Sequence, residues 1–264
     1  MTLHLNKFIQ SCHERLLQDR GDETKTAIDY LKHRHVKKSS VIEHKIGYCG
    51  YRDKIPSAVA YYGKDPDNLK DKERGYYYFI RGKIIVPVYS EFGDTVGFAT
   101  RSPTTEPGNT WWNLPKPFKK SHHLFLLEKS RQEIFNSKKV YLVEGYMDAI
   151  ILFQQGIKNV NAIMGTVLST RKIGLISRYC NNVCFCLDSD KNQAGQKATY
   201  KSIASLKDFG FCNSISVIEN MPIGKDPDEY VIENGVDKFL SLERKLTQNE
   251  IEEICKRVKM GRER

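Results

Sequence analysis

KVYLVEGYMDAIILFQQGIKNVNAIMGTVLSTRKIGLISRYCNNVCFCLDSD, residues 139–190, alternates short apolar runs with segments of helical period. Residues 140–143 (VYLV), 160–164 (VNAIM) and 182–187 (NVCFCL) read as strands, because four to six mostly β-branched or apolar residues run into Glu-Gly, Gly or Asp. Between them, 146–155 and 168–180 carry the i, i+3, i+4 spacing of helices. The alternation continues with a helix over 193–209 and a strand over 214–219. Strands joined by helices form a parallel sheet with helices on both faces, so the fold class is α/β.

Open parallel sheets place ligands beyond the carboxyl ends of their strands. Acidic residues fall there three times. VYLV is followed by Glu144, Gly145 and, in the first helical turn, Asp148; the strand over 182–187 runs into Asp188-Ser189-Asp190; the last strand leads to GKDPDEY, with Asp226 and Asp228. Alternation along an extended chain points Asp188 and Asp190 to one side. Two carboxylates so placed repel unless a cation lies between them, and oxygen-only donors suit Mg²⁺ or Mn²⁺. Two such ions clamp the attacking and leaving oxygens of a phosphoryl transfer. Taken singly, Asp148 reads as a helix cap and Asp226, before Pro227, as a turn residue. It is the coincidence of three clusters at strand ends that favours a metal site.

Working outward, the 264 residues carry 42 Lys+Arg against 32 Asp+Glu. The excess is uneven: residues 1–139 hold 25 basic against 16 acidic side chains, and residues 140–264 hold 17 against 16. A basic first half suits a polyanion, or else is a solvated Lys-rich surface. Leu5, Phe8, Ile9, Cys12 and Leu16, then Ala27, Ile28, Leu31 and Val36, recur at helical spacing over residues 1–50, and Ser39 or Ser40 reads as the cap of a further short helix. Residues 84–88 and 95–99, joined by a turn at 91–94, read as a β-hairpin, and 102–122, rich in Pro, Asn, Trp and Lys, as a loop. Short helices are expected over 228–234, 236–246 and 248–259. The implied division is a helical or mixed segment (1–70), a basic β-rich subdomain (71–137), the α/β domain (138–225) and a helical tail (226–264).

Seven cysteines, an odd number, sit mostly in apolar contexts without C-x-x-C spacing, so buried thiols are expected and zinc is not. No apolar run approaches the ~20 residues that cross a bilayer. The amino terminus, with charges and histidines, lacks the apolar stretch of a signal peptide, so a soluble cytoplasmic protein without membrane contact is expected.

VYLVEGYMDAI, NAIMGT, VCFCLDSD, the AGQKA helix and GKDPDEYV, in that order, resemble the TOPRIM domain of bacterial-type (DnaG-like) primases. AIDYLKHRHVKKSSVIEHKIGYC and IRGKIIVPVYSEFGDTVGFATR are similar to the same family's upstream half, so the likeness runs from about Ala27 to Gly235. The resemblance implies a primase catalytic core that joins ribonucleoside triphosphates into RNA primers on a single-stranded DNA template, with Mg²⁺ or Mn²⁺. It implies Glu144, Asp188 and Asp190 as the central acids and Asp148, Asp226 and Asp228 as outer ones. Arg81, Lys83, Arg101, Asn113, Lys120 and Lys191 fall on positions that imply nucleotide or nucleic-acid contacts, with Lys119 exchangeable for Lys120. Tyr76–Phe79, Trp111 and Trp112 are candidate base-stacking residues, and the Tyr-rich run reads equally as strand core.

The sequence departs from the family pattern in four places. No zinc module precedes the core, and only about thirty residues follow DPDEYV, too few for a helical bundle and helicase-docking domain. A separate zinc-bearing, template-recognising subunit or a replicative helicase is therefore an expected partner, as for a phage or mobile-element primase. Ser189 stands where the family commonly has Gly, with KNQ lengthening the following loop, and Lys83 replaces an arginine, losing its bidentate fork. The competing readings are a TOPRIM nuclease and a non-catalytic nucleic-acid-binding subunit.

Overall fold

The computed structural model describes residues 2–56, 59, 80–104, 110–114, 118–165, 167–187, 194–211 and 214–260. Asp188, Asp190, Lys191, Cys212 and the Tyr76–Phe79 run lie outside these. The chain divides into two compact units, Met1–Lys119 and Lys120–Arg264.

In the first unit, helices α1 (Thr2–Gln18), α2 (Asp22–His33) and α3 (Lys38–Glu43) precede an antiparallel sheet. Its strands β1 (Gly47–Cys49), β2 (Lys83–Tyr89), β3 (Thr95–Arg101) and β4 (Trp112–Leu114) pair in chain order. The helical spacing of Leu5, Phe8, Ile9 and Cys12 lays one apolar face of α1 on the sheet, against Cys49, Ile85 and Phe98. α3 begins at Lys38, not at a serine cap, because Ser40 is buried inside the helix. The stretch read as a loop contains β4, whose residues pair with Phe98–Thr100. Three residues flanked by Pro and Lys carry too little alternation to announce a strand.

The second unit opens with a short 3₁₀ turn (Lys120–His122) and a helix the sequence reading did not assign, α4 (Leu127–Ser137). Then come β5 (Lys139–Val143), α5 (Tyr146–Gln154), β6 (Val160–Ala162), α6 (Thr170–Ile176), β7 (Asn182–Cys186), α7 (Ala194–Asp208) and β8 (Ser214–Ile218). These four strands are parallel, in the order β6-β5-β7-β8. β5 and β7 are almost wholly buried along their length, as strands covered on both faces must be. The cysteines of β7 are core residues: Cys184 and Cys186 are buried, and burial pushes the Cys186 thiol well above its ordinary range.

After α8 (Pro227–Asn234) and α9 (Val236–Leu240) the chain forms β9 (Glu243–Lys245), antiparallel to β8, and then α10 (Gln248–Met260). β9 replaces the end of the helix expected over 236–246. Polar Glu-Arg-Lys has no strand signature, and the strand is held by its partners. Glu243 pairs with Lys139 and accepts from the Tyr141 hydroxyl, while Arg244 binds Glu219 and Glu250. Leu246, Ile251 and Ile254 join the core of the parallel sheet. Among the described residues no helix is long and apolar enough to cross a membrane.

Two stability predictions follow from packing. A Cβ on Gly47 would lie 2.6 Å from the backbone carbon of Cys12, where β1 crosses α1 with no room to relax. Gly47→Ala is expected to cost about 2–3 kcal/mol, read as a lower urea midpoint. In the second unit, Glu128 at the start of α4 has one carboxylate oxygen buried without a hydrogen-bond partner, and burial raises its pKa to about 7. Its folded pKa exceeds the unfolded value, so stability falls as pH rises from about 4.5 to 7 and is flat above. Glu128→Gln is expected to gain about 1–3 kcal/mol at pH 8 and to lose most of that advantage by pH 5.

Candidate active site at the carboxyl edge of the parallel sheet

The order β6-β5-β7-β8 marks the candidate ligand edge of this sheet. From β5 the chain moves to β6 on one side, then returns past β5 to β7 on the other. The strand order reverses between β5 and β7, and in open α/β sheets the crevice beyond the carboxyl ends at that reversal receives the ligand. Val143 and Cys186 are paired in register, so both strands end at the same level. Glu144, half-buried, is the first residue beyond β5.

Gly145 is extended (φ −107°, ψ 168°) and caps α5, and its N–H donates to the Asp148 carboxylate at 3.2 Å. Asp148 therefore performs the capping expected of it, is 7% exposed, and closes the turn carrying Glu144. Asp226 is the N-cap residue of α8, with Pro227 at the first helical position, and Asp228, 4% exposed, accepts from the Glu229 N–H. α8 packs against α5, so the first and last acidic clusters sit on one helix pair. Among the described residues no three His, Cys, Asp or Glu side chains converge as a ready ion cage. Asp188 and Asp190 fall just beyond β7, outside the described residues.

The basic residues divide between the units. In the first, the register sets Arg101 opposite Ile84 and Asn113 opposite Ala99, so Arg101, Asn113 and Trp111 share one face. The Arg101 guanidinium lies 5.5 Å over the Trp111 ring, which leaves Trp112 as the exposed indole, at 47%. Lys83 lies on the opposite face and donates to the Ser102 hydroxyl; its partial burial lowers its pKa. Arg81 is exposed in the turn ahead of β2.

Lys120 belongs to the second unit. An isolated antiparallel bridge between Phe125 and Ala162 ties the following segment to β6. Ser169 at the start of α6 donates to the Ser121 carbonyl at 2.5 Å. A Cβ built on Gly165 would lie 3.5 Å from the Lys120 ammonium. Lys120 thus stands at the carboxyl end of β6, on the same edge as Glu144. Lys172, beside it and buried, was missed by the sequence reading because its position on α6 has the spacing of a core residue.

Two family models match this chain: the N-terminal domain of the DNA primase catalytic core over residues 12–131, and a Toprim-like model over 141–231. The DNA primase of Synechococcus elongatus is 30% identical over 237 residues, covering 84% of this chain and 34% of the relative. That of Clostridium acetobutylicum is 36% identical over 176 residues, covering 66% of this chain and 28% of the relative. The chain thus spans about a third of the length of these relatives. Among solved structures, the zinc-binding and RNA polymerase domains of Aquifex aeolicus primase superpose with a TM-score of 0.75 at 26% identity, over 93% of this chain and 61% of that one. The RNA polymerase domain of Mycobacterium tuberculosis primase gives 0.76 at 18% identity, over 97% and 86%, a likeness of fold.

The Gly145 turn can be tested directly. A Cβ there would sit 2.7 Å from the Asp148 carboxylate oxygen, which must swing away. Gly145→Ala is expected to cost about 1 kcal/mol of stability through the lost cap and to reduce the thermal shift produced by Mn²⁺, measured by melting with and without the ion.

Proposed function

This chain belongs to the family of DnaG-type primase catalytic cores, and on that premise we propose that it synthesises short RNA primers on single-stranded DNA. The observation carrying the proposal is the emergence of Glu144 at the strand-order reversal of the parallel sheet, the place such sheets reserve for ligands. We assign Glu144, Asp188 and Asp190 as the acids that hold Mg²⁺ or Mn²⁺, with Asp148, Asp226 and Asp228 supporting them. The donor set fits such ions: all are carboxylates, and magnesium needs only one or two of them because it keeps waters and takes phosphate oxygens. Held by these carboxylates, such an ion would supply Lewis-acid polarisation of the reacting phosphate and a lowered pKa for the attacking hydroxyl.

The chain's own residues have separate tasks. The capped turn at Gly145 and Asp148 fixes the Glu144 backbone, so the carboxylate is held in place before substrate arrives. Arg101, held over Trp111, presents its guanidinium to phosphate, while Asn113 offers amide donors on the same face. Trp112 exposes an indole for base stacking. Lys83, and Arg81 ahead of it, add backbone neutralisation in the first unit; Lys120 does so at the sheet edge, and Lys191 is assigned the same role. Nucleotidyl transfer needs such positioning and charge neutralisation more than a covalent nucleophile.

The test is primer synthesis on single-stranded DNA with labelled ribonucleoside triphosphates and Mg²⁺ or Mn²⁺. Wild-type protein is expected to yield short RNA, and Asp188→Asn to fall by about 10²–10³-fold, the scale of losing a preorganised electrostatic stabiliser. Template degraded by wild type alone would establish a nuclease. Absence of both activities alongside intact DNA binding would leave a non-catalytic subunit.

A further inference from the structure

Lys172 poses a problem of charge. It is 2% exposed on the inner side of α6, and its ammonium donates to the Ile163 carbonyl just beyond β6. That is its one hydrogen bond among the described residues, although an ammonium has three donors. No carboxylate faces it there. The titratable groups near it are Lys120 and His123 from the 3₁₀-turn segment, while Arg171, next to it in sequence, is exposed. Burial and the Lys120 charge hold its pKa down to about 8, and burial, with the charges of His122, Arg171 and Lys172, lowers that of half-buried His123. Buried charges are ordinarily paired or bind ions, because an isolated buried ion loses its hydration without compensation. Here the nearest charge repels.

We propose that Lys172 and Lys120 form a phosphate-binding site beside the Met164–Gly165 turn, in which the counter-ion of Lys172 is a phosphate group of the substrate. The turn follows β6 on the edge that carries Glu144: Ile163 N–H donates to the Val143 carbonyl at 2.9 Å. The site deepens the primase reading and rests on it for its biological ligand. The phosphate belongs either to a nucleoside triphosphate or to a nucleic-acid backbone, and both offer the same anionic oxygens.

Binding of inorganic pyrophosphate to the full chain, measured by calorimetry in the presence of a chelator, tests the site without requiring polymerisation. Failure of primer synthesis and failure of this site are therefore separate results. Wild type is expected to bind at pH 7, and Lys172→Met at least about tenfold more weakly, the scale of one charged hydrogen bond. The wild-type advantage is expected to shrink towards unity by pH 9.5, where the amine is neutral, a dependence that a packing role would not give. Lys120→Gln changes an exposed residue and serves as a second variant, with an expected loss of about three- to tenfold. Displacement by a nucleoside triphosphate alone would assign the phosphate to the nucleotide, and displacement by single-stranded DNA alone to the backbone. Equal affinity of wild type and Lys172→Met at pH 7, an advantage unchanged to pH 9.5, or displacement by neither competitor would overturn the proposal.

Discussion

The second unit depends on the parallel pairing of β5 with β7. Each strand has five residues, and apart from its first residue each is buried throughout. Such strands leave no face for water, so helices must cover both sides, and parallel neighbours require crossovers long enough to supply them. Val140, Leu142, Val183 and Phe185 share one core with residues of α4, α6, α7 and α10. At about 1.5–3 kcal/mol for each fully buried large apolar side chain, this layer is the main apolar contribution to holding the strands in register. Because the strands end level, the chain must leave both at one edge, and that edge is where polar residues become tolerable.

Much of this is visible in the sequence because parallel strands and their helices have different hydrophobic periods. The runs at 140–143 and 182–187 could only be strands, and Glu144 was marked as a site residue by following one of them directly. The strand order was not visible, since no local feature of VYLV names its neighbours, and hence neither was the reversal between β5 and β7. The two strands that escaped the reading, β4 and β9, are three residues each and owe their conformation to partners elsewhere. β9 contains Glu-Arg-Lys, and each of Glu243 and Arg244 is fixed by charges distant in sequence. The DSD segment, the strongest sequence signal for a metal, is a statement about residues beyond the described part of β7, and its role stays a proposal.

Lys172 was hidden for a different reason. Its spacing with Ile173 and Ile176 is that of a helix face turned to the core, and the four-methylene stem of a lysine packs there as an aliphatic residue does. Only the structure reveals that the ammonium ends beside a second lysine and under a backbone carbonyl. A lone lysine in a helix is unremarkable in a sequence; what distinguishes this one is that among the described residues the charge acting on it is another lysine, a property of the tertiary arrangement.

That arrangement also explains how acids and lysines coexist on one edge without cancelling each other. Had Glu144 or Asp148 faced Lys172, the pair would have closed into a buried salt bridge, silencing both the proposed cation site and the proposed anion site. Instead Asp148 is committed to the Gly145 N–H at the end of β5, and Lys172 to the Ile163 carbonyl at the end of β6. Each charge is anchored to backbone on its own strand end. A metal–polyphosphate carries both signs, cation and anionic oxygens, and on the proposed function it would meet both strand ends where either ion alone would meet one. The parallel pairing of β5 with β6, which sets Val143 level with Ala162, is therefore what brings the two charges to one edge.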